Sequence, residues 1–135
     1  MSLIENIKES EGYRASVYKC TEGYDTIGYG FAIKDLKLSE EVSEIILKEK
    51  LDKLKEGVDR NFKWVKNMPV KGQDVVYEMC YQLGIVGFSK FKRTISLLQL
   101  QDYSGASREM LDSKWAKQTP NRANKLSEEI YKLEE

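Results

Sequence analysis

From Ser39 to the end of the chain, apolar side chains recur at helical spacing and never settle into a strand-like alternation. That pattern commits most of the polypeptide to helices packed on one another. Ser39 is placed to cap a long helix over about 39–58, with Val42, Ile45, Ile46, Leu47, Leu51, Leu54 and Val58 expected on its buried side. After Pro69 a second helix carries Val75, Val76, Met79, Cys80 and Leu83 and is expected to end near Gly84. Phe88, Phe91, Ile95 and Leu98 mark a third, and a short helix is expected around Ala106–Leu111. Thr119-Pro120 reads as a cap followed by the first helical position of a last helix, running through Leu126, Ile130 and Leu133.

The first part of the chain is punctuated differently. Ser2 and Glu5 fit a capping box, and Gly12 is positioned to end a helix over roughly 3–11. Ile4, Ile7 and Glu11 follow one helical face, so Glu11 is expected beside the apolar anchors. Val17-Tyr18-Lys19 and Tyr24-Asp25-Thr26-Ile27 are short β-prone runs around Thr21-Glu22-Gly23, which reads as a hairpin. A three-residue loop would set Cys20 opposite Tyr24 and on the face of Thr26; a two-residue loop would set it beside Asp25. Gly28 and Gly30 flank Tyr29 as bends or points of close backbone approach. The expected fold class is α+β within a single domain. A small β-containing lobe (about 12–38) joins, through the long helix (about 39–58), an all-helical lobe (about 59–135), with helix 3–11 packing near the cleft. A cleft between two such lobes is a natural ligand site.

Composition removes several classes of function. The chain has no histidine, which excludes imidazole as base, acid or metal ligand. Its two cysteines, Cys20 and Cys80, are far from any CxxC spacing, so neither a metal site nor a disulfide framework is expected, and no cofactor is implied. Lys plus Arg and Asp plus Glu are each 22, so no global field favours nucleic acid. Residues 1–60 carry 10 basic and 13 acidic side chains, leaving 12 and 9 beyond, a tilt that would suit a polyanion better in the second half. The N-terminus lacks a signal-peptide pattern and no apolar run is long enough to insert in a membrane. The expectation is a cytoplasmic start with reduced thiols.

Three residues in the first lobe can do chemistry together. Glu11, at a helix C-terminal end, meets the negative pole of the macrodipole, a setting suited to a group that must carry a proton. Cys20 and Thr26 sit on the two arms of the hairpin. Taken singly they read as a surface glutamate, a small buried thiol and an ordinary strand threonine. Their joint spacing, Glu11 then eight residues to Cys20 and five to Thr26, resembles the Glu-Asp/Cys-Thr catalytic pattern of the phage lysozyme family. The run Tyr18-Lys19-Cys20-Thr21-Glu22-Gly23-Tyr24-Asp25-Thr26-Ile27-Gly28-Tyr29-Gly30 is very similar to the corresponding segment of the T-even phage lysozymes. The likeness continues in Tyr81-Gln82-Leu83-Gly84, Gly87-Phe88, and Trp115 through Ala123. Two departures stand out. The best-known members have Asp at the place of Cys20, and Phe31 replaces a histidine that many carry.

The resemblance implies a lysozyme-like fold and an endolysin that cuts the β-1,4 bond between N-acetylmuramic acid and N-acetylglucosamine. Glu11 would be the general acid, with Cys20 and Thr26 assisting attack by water. Gly30, Tyr81, Gln82 and Thr94 would contact the saccharide, and Arg122 would pair with the acid. The implied partner is the peptidoglycan glycan strand, met by a monomer released from the host cytoplasm through a separate holin. Two other classes compete. A wall-glycan-binding module with weakened catalysis would follow from loss of the usual carboxylate at Cys20. A helical protein-interaction domain would leave every charged residue as solvated surface.

Overall fold

A computed structural model describes residues 2–134 as two compact units, one ending at Ile45 and the other beginning at Ile46. The first unit opens with α1 (Leu3–Glu11), whose capping box has Ser2 Oγ accepting from the Glu5 N–H and the Glu5 carboxylate accepting from the Ser2 N–H. Three strands follow, β1 (Arg14–Lys19), β2 (Asp25–Gly28) and β3 (Phe31–Ala32), forming an antiparallel sheet in the order β1-β2-β3. A 3-10 turn at Ile33–Asp35 leads on toward α2 (Glu40–Asn61). Ser39 Oγ accepts from the Val42 N–H, as expected of a cap.

The hairpin closes through a three-residue loop. Cys20 N–H donates to the Tyr24 carbonyl (2.9 Å), and Gly23 N–H donates to the Cys20 carbonyl (2.9 Å). Lys19 then pairs with Asp25 and Tyr18 with Thr26, while Thr26 pairs across the next strand with Ala32. Between Arg14 and Tyr18 the register shifts, so β1 carries extra residues there. Because side chains alternate along a strand, Tyr18, Cys20, Tyr24, Thr26 and Ala32 share one face.

The second unit is helical: α3 (Val70–Ser89), α4 (Lys92–Gln99), α5 (Tyr103–Leu111), α6 (Lys114–Gln118) and α7 (Pro120–Tyr131), with 3-10 turns at Lys63–Asn67 and Lys132–Glu134. α3 breaks at Gly84, where φ of 77° and ψ of 162° are open to glycine and closed to most side chains. The helix after Pro69 therefore stops where the sequence predicts, but a further short turn of helix follows it. Phe88 belongs to that turn and not to the start of α4. Phe88 is wholly buried, edge-on to Phe62 (5.4 Å between centroids) and stacked with Phe91 (6.2 Å). Around it lie Val58, Val76, Met79, Met110 and Ile130, all within 1% of complete burial.

Two expectations from periodicity are corrected. Val42, Ile45, Ile46 and Leu47 on α2 are exposed, and only Gly57 and Val58 of that helix are buried. Leu3, Ile4 and Ile7 on α1 are exposed as well. Thr26 is the only buried residue described up to Ile45, so this small unit has too little interior for the α1 stripe, or for Val42 and Ile45, to enter. α6 lies where the sequence was read only as a motif; Ser113 caps it by accepting from the Ala116 N–H at 3.1 Å.

Phe88 fills the centre of the helical core, so Phe88→Ala should cost about 3–5 kcal/mol, the range for a buried phenylalanine that leaves a cavity. Urea denaturation followed by circular dichroism measures this. A loss below about 1 kcal/mol would show that the site collapses around the smaller side chain.

Candidate active site

The sheet face and the end of α1 enclose an open pocket of about 360 Å³, lined by Glu11, Tyr18, Cys20, Tyr24, Thr26 and Gly30 among others. All the candidate reactive groups of the first unit are therefore in one place. Glu11 is exposed as a residue, as are the apolar anchors Ile4 and Ile7 beside which it was expected, but its carboxyl group lies directly on Gly30. A Cβ built on Gly30 would sit 2.8 Å from Glu11 Cδ and closer still to Oε2. Gly30 also has φ of 76°, so the backbone both adopts a glycine conformation and leaves room for the acid.

Thr26 is buried, and its hydroxyl donates to the Tyr24 carbonyl at 2.9 Å. With its proton committed there, Oγ1 faces other partners as an acceptor. Cys20 is half-buried and free. Hydrogen bonding from the Tyr24 backbone, then from the Glu22 backbone, pulls its thiol below the ordinary range. Partial desolvation and the negative charge of Glu22 act the other way without winning. Cys80 is the opposite case: burial in the α3 stripe pushes its thiol up to about 12. The two cysteines are chemically distinct.

The remaining candidates lie in the second unit. Arg122 donates through Nε to Glu78 Oε2 at 2.8 Å, a partner the sequence did not single out. Gln82 Oε1 accepts from the Trp115 indole N–H at 2.9 Å, so its carbonyl end is tied to α6. Thr94 is buried and lines a pocket of about 470 Å³ with Phe91 and Trp115 on its walls. Tyr81 is exposed and lines a different pocket, of about 280 Å³, with Leu51 and Tyr77. The structure thus gathers Glu11, Cys20, Thr26 and Gly30, but does not bring Tyr81 and Thr94 into one pocket. Sequence reasoning also passed over Tyr24, whose carbonyl accepts from both Cys20 and Thr26; the three-residue loop placed it opposite Cys20 and was the available signal.

A family model described as phage lysozyme matches residues 8–129. Two proteins of Dictyostelium discoideum, probable T4-type lysozymes 1 and 2, are 27% and 28% identical, each over 93% of this chain and 91% of the relative. An endolysin of Bacillus phage B103 is 32% identical over 84% of this chain and 44% of its own length. These matches define a glycoside hydrolase of the lysozyme type, an enzyme that hydrolyses cell wall. The chain belongs to the phage lysozyme family.

Gly30→Ala tests the packing of the acid. The left-handed φ alone should cost about 1–2 kcal/mol, and the added methyl group must push the Glu11 carboxyl group aside. Wall-clearing activity should fall much further than stability. Activity that tracks the stability loss alone would show that the Glu11–Gly30 contact does not matter to the reaction.

Proposed function

We propose that this enzyme is an endolysin muramidase that hydrolyses the β-1,4 bond between N-acetylmuramic acid and N-acetylglucosamine, with Glu11 as general acid. The observation that carries this reading is the single pocket shared by the Glu11 carboxyl group, the Cys20 thiol and the Thr26 hydroxyl. Glycoside hydrolysis requires a proton for the leaving oxygen and a second group to manage water or the developing charge. Glu11 gives its proton to the glycosidic oxygen as the bond to the anomeric carbon breaks and its electron pair goes to that oxygen. Thr26 Oγ1 accepts a hydrogen from the incoming water. Cys20, as thiolate, takes the water's other proton as its oxygen bonds to the anomeric carbon. The cycle ends with Glu11 ionised and Cys20 protonated, and proton exchange with solvent resets both.

A second route uses the thiolate as nucleophile, forming a thioglycosyl enzyme that water then hydrolyses with retention of configuration. The lowered Cys20 thiol serves either route, because both need the thiolate. A covalent adduct in intact-protein mass spectrometry, with a retained product, would assign the nucleophile role; inversion without an adduct would assign the base role. A weakened glycan-binding module is the competing reading, and the observation that favours it is a thiol where the family usually has a carboxylate.

Gly30, Tyr81, Gln82 and Thr94 are proposed as saccharide contacts, with the Gln82 amide nitrogen as the end left by its bond to Trp115. Arg122 is proposed as the partner of Glu11. A guanidinium has five donors, and the Glu78 bond is made through Nε. The proposed partner is peptidoglycan, reached by a monomer from the host cytoplasm once a separate holin has opened the membrane. Among the described residues no helix is long and apolar enough to cross a membrane.

Glu11→Gln should abolish clearing of permeabilised Gram-negative cells while folding is retained, because an isosteric amide has no acidic proton to give. Clearing at the wild-type rate would remove Glu11 from the acid role.

The two cysteines yield a sharper contrast. Iodoacetamide should modify Cys20 and stop lysis, whereas Cys80, buried and with its thiol raised to about 12, should stay unmodified in the folded protein. Wild-type lysis should rise with pH as Cys20 ionises, and the rise should begin below the range of a free thiol because that group is lowered. Cys20→Asp should be active without that rise, since a carboxylate is already ionised at neutral pH. Cys20→Ala should be nearly inactive and Cys80→Ala active but less stable. Lysis rates against pH for these variants decide the matter, and a fully active Cys20→Ala protein would leave only Glu11 and Thr26 in the mechanism.

A further inference from the structure

The carbonyl oxygen of Tyr24 accepts the Cys20 N–H and the Thr26 hydroxyl, both at 2.9 Å, so one peptide group aligns both residues that the reading above places beside water. Backbone hydrogen bonding from Tyr24 is also the largest influence on the Cys20 thiol. That bond is donated by the Tyr24 N–H, which belongs to the preceding peptide, so the placement of Tyr24 through both its backbone groups sets the geometry of two reactive groups at once. Tyr24 lies at the mouth of a three-residue loop, one residue before the short strand β2.

The side chain is held from outside the hairpin. Lys34 Nζ lies 3.8 Å from the centroid of the Tyr24 ring, the shortest cation–ring distance among the described residues. Lys34 belongs to the 3-10 turn after β3 and lines the same pocket as Glu11, Cys20 and Thr26. Among the described residues it has no salt bridge, although Asp35 is its neighbour and Glu22 lines the pocket too. A lysine placed on an aromatic face in preference to the carboxylates around it is held by the ring's quadrupole. It links the loop carrying Cys20 to the opposite edge of the sheet.

We propose that Lys34 and the Tyr24 ring form a clamp that positions the Tyr24 backbone, and through it Cys20 and Thr26, for the hydrolytic reaction. Both are positioning residues, since neither acts on the glycosidic bond. The inference rests on the muramidase reading for its link to turnover, but the clamp acts on the thiol whether or not substrate is present.

The charged and titratable groups that line the pocket are Glu11 from α1, Glu22 from the loop, Lys34 and Asp35 from the 3-10 turn, Tyr18 from β1, and Cys20 and Tyr24 themselves. Removing the Lys34 charge leaves the pocket lining without a cation, while Glu22, whose negative charge opposes the thiolate, remains. Loosening the Tyr24 backbone weakens the hydrogen bonding that favours the thiolate. Both changes act in the same direction.

The test is the rate of Cys20 alkylation by iodoacetamide against pH, read by mass spectrometry on the full-length protein, together with lysis rate over the same range. Lys34→Met removes the charge and keeps the chain length; it should slow alkylation at neutral pH by about two- to fivefold, the scale of an exposed cation–π contact. The pH profiles of alkylation and lysis should both move to higher pH. Lys34→Arg should restore them, because a guanidinium also lies on a ring, and Tyr24→Leu should reproduce the Lys34→Met shift. An unmodified Cys80 and an unchanged circular dichroism spectrum in each variant establish that the fold is intact. Alkylation at the wild-type rate and pH in Lys34→Met, or failure of arginine to restore it, overturns the clamp. Slower alkylation with unchanged lysis upholds the clamp and removes Cys20 from the muramidase mechanism.

Discussion

The pairing of β1 with β2 governs where the reactive groups of this enzyme lie. A three-residue loop sets Cys20 opposite Tyr24 and Tyr18 opposite Thr26, and the alternation of side chains does the rest. A slip of one residue would turn Cys20 and Thr26 to different faces and dissolve the pocket. The extra residues of β1 between Arg14 and Tyr18 absorb the irregularity away from the loop, so the reactive end of the hairpin keeps its register. Glu11 then needs only a short chain to reach that face, and Gly30 supplies the flat backbone against which its carboxyl group lies.

The helical unit is held together by different means. A wholly apolar centre around Phe88 is surrounded by polar ties between segments distant in sequence. Tyr77 donates to Asp59 at 2.7 Å, Trp115 to Gln82, and Arg122 to Glu78. The first of these leaves the Tyr77 hydroxyl raised to about 12, with desolvation the larger cause and the Asp59 hydrogen bond the next. A phenol so placed stays protonated and continues to donate under any condition in which the protein works. The Arg122–Glu78 pair is more than a third exposed on both sides, so solvent screens it and its worth lies in orientation more than in stability.

Much of this is legible in the amino-acid sequence itself. The capping box at Ser2, the Ser39 cap, the hairpin loop and the break at Gly84 are local features, each written in two to four adjacent residues, and local chemistry decides them. The grouping of Glu11 with Cys20 and Thr26 was legible because resemblance and register agreed. Burial was less so: Val42, Ile45 and Ile46 have a helix's apolar spacing, but whether such a stripe is covered depends on what else the fold provides. The partner of Arg122 lies 44 residues away in sequence, and the Lys34 contact with Tyr24 joins an ordinary surface lysine to an ordinary tyrosine. Neither leaves a mark in spacing or composition.

The scarcity of interior in the first unit bears on how the molecule comes apart. Backbone amides that lack buried apolar side chains around them exchange with solvent through small local openings, at a free energy well below that of global unfolding. Among the described residues up to Ile45 only Thr26 is buried, whereas the helical unit has a contiguous apolar centre. The strands that carry Cys20 and Thr26 are thus the first to loosen as temperature rises, while the helices still hold. Heat would extinguish catalysis in a molecule that still gives a helical far-ultraviolet spectrum, because the helical unit keeps an apolar centre of its own.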